Sequence, residues 1–151
     1  MPTTQISGAT ILRDTLFAIK TFLSGAVSDP ITNRPTNESF IMTSYPTRAV
    51  TYPLITIKDL NSESTRLGLQ SEAVMQNLNV EVRAWANTVS QRDKLADSIF
   101  NSMKNNQFGG GSAFTEDYGL HDFKLLSSVN VDDPDGPKSK VQTYKFIFVT
   151  T

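Results

Sequence analysis

The stretch VMQNLNVEVRAW, Val74 to Trp85, decides the fold. Leu78, Val80, Val82 and Ala84 alternate with Asn79, Glu81, Arg83 and Trp85, and a period of two places successive side chains on opposite faces of an extended strand. One face is therefore expected to meet a core, and Trp85, on the other, is expected under a helix or on a partner. The period then changes. From Ser90 to about Asn106 the residues Leu95, Ala96, Ile99, Phe100 and Met103 fall on one side of a helix. Ser90 and Asp93 form the Ser-x-x-acid arrangement that satisfies free amide donors at a helix start.

Upstream of this unit, Phe40–Ser44 and Leu54–Lys58 read as short strands, separated by a segment with Pro46 and Pro53 that is barred from a central strand. The residues from Asn61 to Ser71 read as a loop, and so does the polar stretch Val27–Asn37 with Pro30 and Pro35. Before it, Leu12, Leu16, Ile19 and Leu23 recur at helical steps, which predicts an amphipathic helix from Ser7 to Leu23. Ser7 is placed to cap its start and Ser24-Gly25 to end it. Downstream, the glycine-rich stretch Phe108–Gly119 breaks regular structure, and Phe123, Leu125 and Val129 resume alternation up to Val131. The residues Asp132–Pro137 form a turn, and Val141–Thr150 is a last strand. The expected class is α+β, one domain over 1–151, with a mostly antiparallel sheet of about four to five strands, two helices on one face and a terminal β-hairpin.

Composition narrows the function. The 151 residues carry 14 Lys and Arg against 15 Asp and Glu, a net charge of -1, so no overall positive field holds a nucleic acid. There is no cysteine, which removes disulfides, thiolate metal sites and a cysteine nucleophile, and His121 is the only histidine. The charged fraction is 19%, which predicts a polar but weakly charged surface. No apolar run approaches the roughly 20 residues of a membrane span, and MPTTQISGAT lacks the regions of a signal peptide, so the cytoplasm is the expected place of synthesis. The sequon Asn37-Glu38-Ser39 then reads as loop polarity.

Motifs for catalysis are weak. Gly109-Gly110-Gly111-Ser112 follows a helix and has no Lys after it, unlike a phosphate-binding loop. Asp132, Asp133 and Asp135 lack the alternating spacing and distal Glu of a calcium loop, and Pro134 and Gly136 mark a turn. His121 beside Asp122 has no nucleophile-elbow motif to serve. Arg48, Lys58, Arg66 and Arg83 are dispersed among acidic residues rather than gathered into a stripe. No cofactor or metal is expected.

The segment NVEVRAWANTVSQRDKLADSI, Asn79 to Ile99, is a long strand ending in Arg-x-Trp-Ala, a short link and a helix opening Arg-Asp-x-Leu-Ala. With FIMTSYPTRAVTYPLITIKDL, Phe40 to Leu60, it resembles the tail terminator, or tail completion, proteins of long-tailed bacterial and archaeal viruses. The resemblance covers residues 40 to 100 and implies an α+β domain ending in paired strands and a structural virion protein without catalytic residues, assembled in the host cytoplasm. Such a protein forms a ring, typically a hexamer, on the head-proximal end of the tail tube and stops its polymerisation. It then joins the head-tail connector, and the genome passes through without specific binding. A connector stopper or a tube protein of the same fold is the near alternative.

The ring reading directs attention to heterologous surfaces. Arg66, Leu67 and Leu69 around Gly68 are apolar or basic residues in a polar loop, expected to dock on a neighbour. Trp85 and the loop residues Phe108 and Phe114 are further contact candidates, and the loop Val27–Asn37 is expected to order on assembly. Asp132, Asp133 and Asp135 are candidates for a channel wall that repels DNA phosphates. Outside the virion reading stand a small soluble enzyme with a site at His121, Asp122 and the glycine loop, and a monomeric adaptor for one host partner.

Overall fold

A computed structural model describes residues 11–44, 50–68, 73–105 and 119–150. The elements run α1 (Ile11–Ala26), β1 (Ile41–Met42), β2 (Leu54–Arg66), β3 (Val74–Ala86), α2 (Val89–Asn105), β4 (His121–Asp132) and β5 (Lys138–Thr150). The strands form one sheet in the order β1-β2-β3-β5-β4. Only the β1–β2 pair is parallel; β2–β3, β3–β5 and β5–β4 are antiparallel. The class is α+β, and β4 and β5 close the chain as a hairpin.

Alternation in β3 does what its pattern predicts. Leu78, Val80, Val82, Ala84 and Ala86 are buried, and they lie in register with Ile55 and Ile57 of β2 on one side and Tyr144 and Phe146 of β5 on the other. Both helices cover this face. α1 contributes Ile11, Ala18, Ile19 and Leu23, and α2 contributes Leu95, Ala96, Ile99 and Met103. Two polar side chains of the core pair with each other and with α2: the Tyr144 hydroxyl donates to Gln142 Oε1 at 2.8 Å, and Gln142 Nε2 donates to the Ala96 carbonyl at 3.4 Å. Burial pushes the Tyr144 hydroxyl well above the ordinary phenol value, so it stays a neutral donor.

Four elements differ from the sequence expectation, each for a local reason. In α1 the predicted Ile19 and Leu23 are fully buried and Leu16 packs against the core, but at the helix start Leu12 is 40% exposed and Ile11, Asp14 and Thr15 take the buried side, so the stripe is shifted by one residue in the first turn. Ser24 and Gly25 lie within α1 rather than beyond it. The Ser24 hydroxyl donates to the Lys20 carbonyl at 2.7 Å and the Val27 amide to Leu23 at 2.9 Å, which carries the helical pattern one turn further. The start of this helix at Ser7 lies outside the described residues. Of the strand predicted over Phe40–Ser44, only Ile41–Met42 pairs.

β2 is the largest difference. It continues to Arg66, through most of the predicted loop, and pairs with β3 in register from Asn61↔Asn79 to Arg66↔Val74 after a bulge at Asp59/Asn61. The ladder of backbone hydrogen bonds holds this part, and its side chains from Leu60 to Arg66 are exposed on both faces. With no face to bury, it needs no period-two signal.

The cap of α2 lies two residues earlier than predicted. Thr88 Oγ1 accepts from the Gln91 amide at 3.2 Å and the Thr88 carbonyl accepts from the Arg92 amide at 3.0 Å, so Thr88-x-x-Gln91 is the capping pair. Thr88→Ala is expected to cost about 1 kcal/mol and Ser90→Ala only a few tenths. Urea unfolding of the two variants checks this, and equal losses would place the cap elsewhere.

Candidate interaction surfaces

Because both helices lie on one face, the opposite face of the sheet is left to other contacts. Trp85 sits there, half-buried. Its Nε1 donates to Thr56 Oγ1 at 2.9 Å, and the Arg83 guanidinium stacks 4.1 Å above its ring. Arg83 also donates from Nε and Nη2 to Ser139 Oγ at 3.1 and 3.0 Å, and the Ser139 hydroxyl in turn donates to the Val131 carbonyl at 2.7 Å. This chain of contacts crosses four strands, so the face around Trp85 is rigid. Val129 and Val131 on β4 flank it, 53% and 48% exposed.

The edges of the sheet are the second surface. Among the described residues β4 is the last strand on one side. On the other side β1 covers β2 only at Ile55 and Thr56, so among the described residues β2 is an edge from Ile57 to Arg66. Both edges expose backbone donors and acceptors that a further strand satisfies.

The third arrangement is a charge cluster at the start of α2. Arg92 is 3% exposed and donates to both carboxylate oxygens of Asp132, at the end of β4. Its Nε donates to Asp93 Oδ1 at 3.0 Å, and Lys140 Nζ of β5 lies 3.0 Å from the same oxygen. The Arg92 guanidinium holds the Asp132 carboxyl below the usual carboxylate range; Lys140, followed by Arg92, does so for Asp93. The cluster fastens the helix to the hairpin.

A second fastening acts on the loop after α1. Arg34 donates to Asp29 from Nε and Nη2 at 2.7 and 2.9 Å, and to the carbonyls of Thr51 and Pro53, both at 2.6 Å. The Arg34 guanidinium lowers the Asp29 carboxyl from its ordinary value. The loop Val27–Asn37 is thus pinned to the lead-in of β2 within the subunit. Between it and α2 runs a groove of about 790 Å³, with Val27, Ile31 and Pro53 facing Leu95, Ser98 and Ser102; Lys94 is the one charged residue among the described residues that line it.

The predicted site residues do not come together. Arg66 ends β2, and Leu67, 50% exposed at the hairpin tip, donates its amide to Ala73 at 3.1 Å. Trp85 is on the sheet face away from the helices. Leu69, Phe108, Phe114 and the glycine run Gly109–Gly111 lie outside the described residues. Asp132 is engaged by Arg92. Asp133 folds over its own turn, accepting from the Asp135 amide at 3.0 Å, and Asp135 is exposed at the tip. His121 and Asp122 are exposed at the start of β4, with Asp122 at a φ of 55°. Among the described residues no three His, Cys, Asp or Glu side chains gather to hold a metal, and no helix is long and apolar enough to cross a membrane.

Sequence reasoning missed Arg92 as a linking residue. An arginine one position before Asp93 reads as a solvated helix start, and its main partner is forty residues away. Compared with protein-family models and with curated proteins, the chain matches none.

Proposed function

We propose that this chain is a structural virion subunit of the tail-terminator kind. It assembles as a ring of six copies on the head-proximal end of a tail tube, stops tube growth and offers its other side to the head connector. The observation that carries the reading is the sheet with two different edges that are open among the described residues, β4 on one side and β2 beyond Thr56 on the other. A subunit with two unlike adhesive surfaces at opposite ends associates head to tail, and head-to-tail association closes into a ring when the rotation permits. The α+β class with a terminal hairpin also agrees with what the sequence resemblance implies.

Function on this reading is geometric. One side of the ring matches the last tube ring, and the other lacks the surface that templates another. No group needs to transfer a proton or an electron. DNA passes through the ring, and a net charge of -1 gives the subunit no overall attraction for phosphates.

The test is electron microscopy of polymerising tail-tube protein with and without the purified chain. Shorter tubes with a ring of density at one end are the expected result. Longer tubes that incorporate the chain identify a tube subunit, and unaltered tubes overturn the capping role.

A further inference from the structure

The two open edges differ in a way that assigns them to each other. On β4, beyond the bulge between Leu125 and Ser127, the regularly paired stretch Ser127–Val131, SSVNV, contains no charged residue, no proline and no further bulge, and Val129 and Val131 are 53% and 48% exposed. Edges that stay free in solution are blunted by lysine, proline or a twisting bulge, because an apolar, uncharged edge recruits another strand. Beyond its own bulge at Asp59/Asn61 the β2 edge is of comparable length but polar and charged, with Asn61, Ser62, Ser64 and Thr65 around Glu63 and Arg66.

We propose that the β4 edge of one copy pairs antiparallel with the β2 edge, Lys58–Arg66, of a second copy. Orientation follows from the sheet itself. β4 runs antiparallel to β5, β5 to β3 and β3 to β2, so β4 and β2 point in opposite directions within one subunit. A neighbour added by a modest rotation, as in a ring of several copies, keeps that sense and presents β2 antiparallel to β4. The same operation keeps the helices of both copies on one side of a continuous sheet. A two-fold dimer would instead join β4 to β4. The contact deepens the ring reading by naming the subunit interface, and its pairing is testable apart from any tail tube.

A cysteine-free chain makes the test direct. Ser128 and Asn130 lie opposite Gln142 and Lys140, and Ser62 opposite Leu78, so all three are on the helix side, as is Ser64 by alternation; all four are exposed. Ser128→Cys or Asn130→Cys combined with Ser62→Cys or Ser64→Cys samples neighbouring registers. Within one subunit β3 and β5 stand between β2 and β4, a separation of roughly 14 Å from three inter-strand steps. That exceeds the about 7 Å limit between Cα atoms in a disulfide, so any bridge joins two copies.

Mild oxidation of at least one double variant is expected to give a ladder of dimers and higher multimers on a non-reducing gel, absent from each single-cysteine variant. Val129→Lys with Val131→Lys, both at exposed positions, is expected to raise the concentration needed for self-association by about tenfold or more, read by light scattering. A single β4 cysteine that cross-links as well as the double variants shows a symmetric β4 contact and overturns the proposal. Multimers in solution without a ladder overturn this edge contact and leave the ring reading standing. A chain that stays monomeric and gives no ladder overturns the contact too, and the tube assay then decides the ring.

Discussion

Truncating Phe146 to alanine is expected to lower the unfolding free energy by about 4 kcal/mol. Phe146 is fully buried, lies opposite Leu78 in the β3–β5 ladder and packs against the Phe123 ring at 5.6 Å between centroids. Phe123 also stacks on Tyr144 at 5.2 Å, so removing one ring leaves the other two facing a cavity. The strand position increases the effect. β5 is paired on both sides, with β3 and with β4, and a cavity beside it weakens the join between the two halves of the sheet. Against a domain stability of about 5–15 kcal/mol the loss is a large fraction. Urea unfolding should show a lower midpoint at an unchanged slope, and thermal unfolding a fall of roughly 10 °C. Val149→Ala on the same strand, where the side chain is 44% exposed, should stay within about 0.5 kcal/mol of the parent. A Phe146→Ala loss below about 1 kcal/mol would mean that the ring is not in the core.

The contrast between Phe146 and the far part of β2 also explains what the sequence reveals. Where a strand buries one face, the alternation is written in residue type: Leu78, Val80, Val82 and Ala84 are each at most 1% exposed. Where a strand is held by its backbone ladder alone, as from Asn61 to Arg66, side chains carry no period and the segment reads as a loop. Helix α1 is intermediate. Its apolar residues are dense enough to announce a helix, but Ile11 and Leu12 compete for the same stripe, and only packing against the sheet selects Ile11. At α2, Thr88 and Ser90 each offer a capping hydroxyl, and the bend after Ala86 decides for Thr88. The acidic turn shows the deepest limit. Asp132, Asp133 and Asp135 look alike in sequence, yet one pairs with a buried arginine, one caps its own turn and one is exposed. Long-range pairing sets these roles, and no local pattern encodes it. Open edges are equally invisible before the strand order is known.

The Arg92 cluster supplies a prediction in which both the size and the pH dependence are set by geometry. Arg92→Met keeps most of the buried stem and removes the guanidinium that joins α2 to the end of β4. A pair buried at both ends would lose about 3–5 kcal/mol on such a cut, but the Asp132 and Asp93 side chains are 33% and 42% exposed and regain water. Asp93 also keeps Lys140 at 3.0 Å. The expected loss at neutral pH is therefore smaller than that of Phe146→Ala. Its sign with pH follows from the carboxylates. Both have folded values below the ordinary 3.8, so the folded state prefers them ionised. Their contribution is fully present above 3.8 and is lost as pH falls through the lower folded values, because over that window unfolding takes up protons that the folded carboxylates do not bind. Arginine stays charged throughout, so the carboxylates alone titrate. Parent and Arg92→Met should be well separated in urea midpoint at pH 7 and should draw together below pH 3.8. A gap that stays constant into strong acid would show that Arg92 acts through the packing of its stem, and that the hairpin is held to α2 without the ion pair.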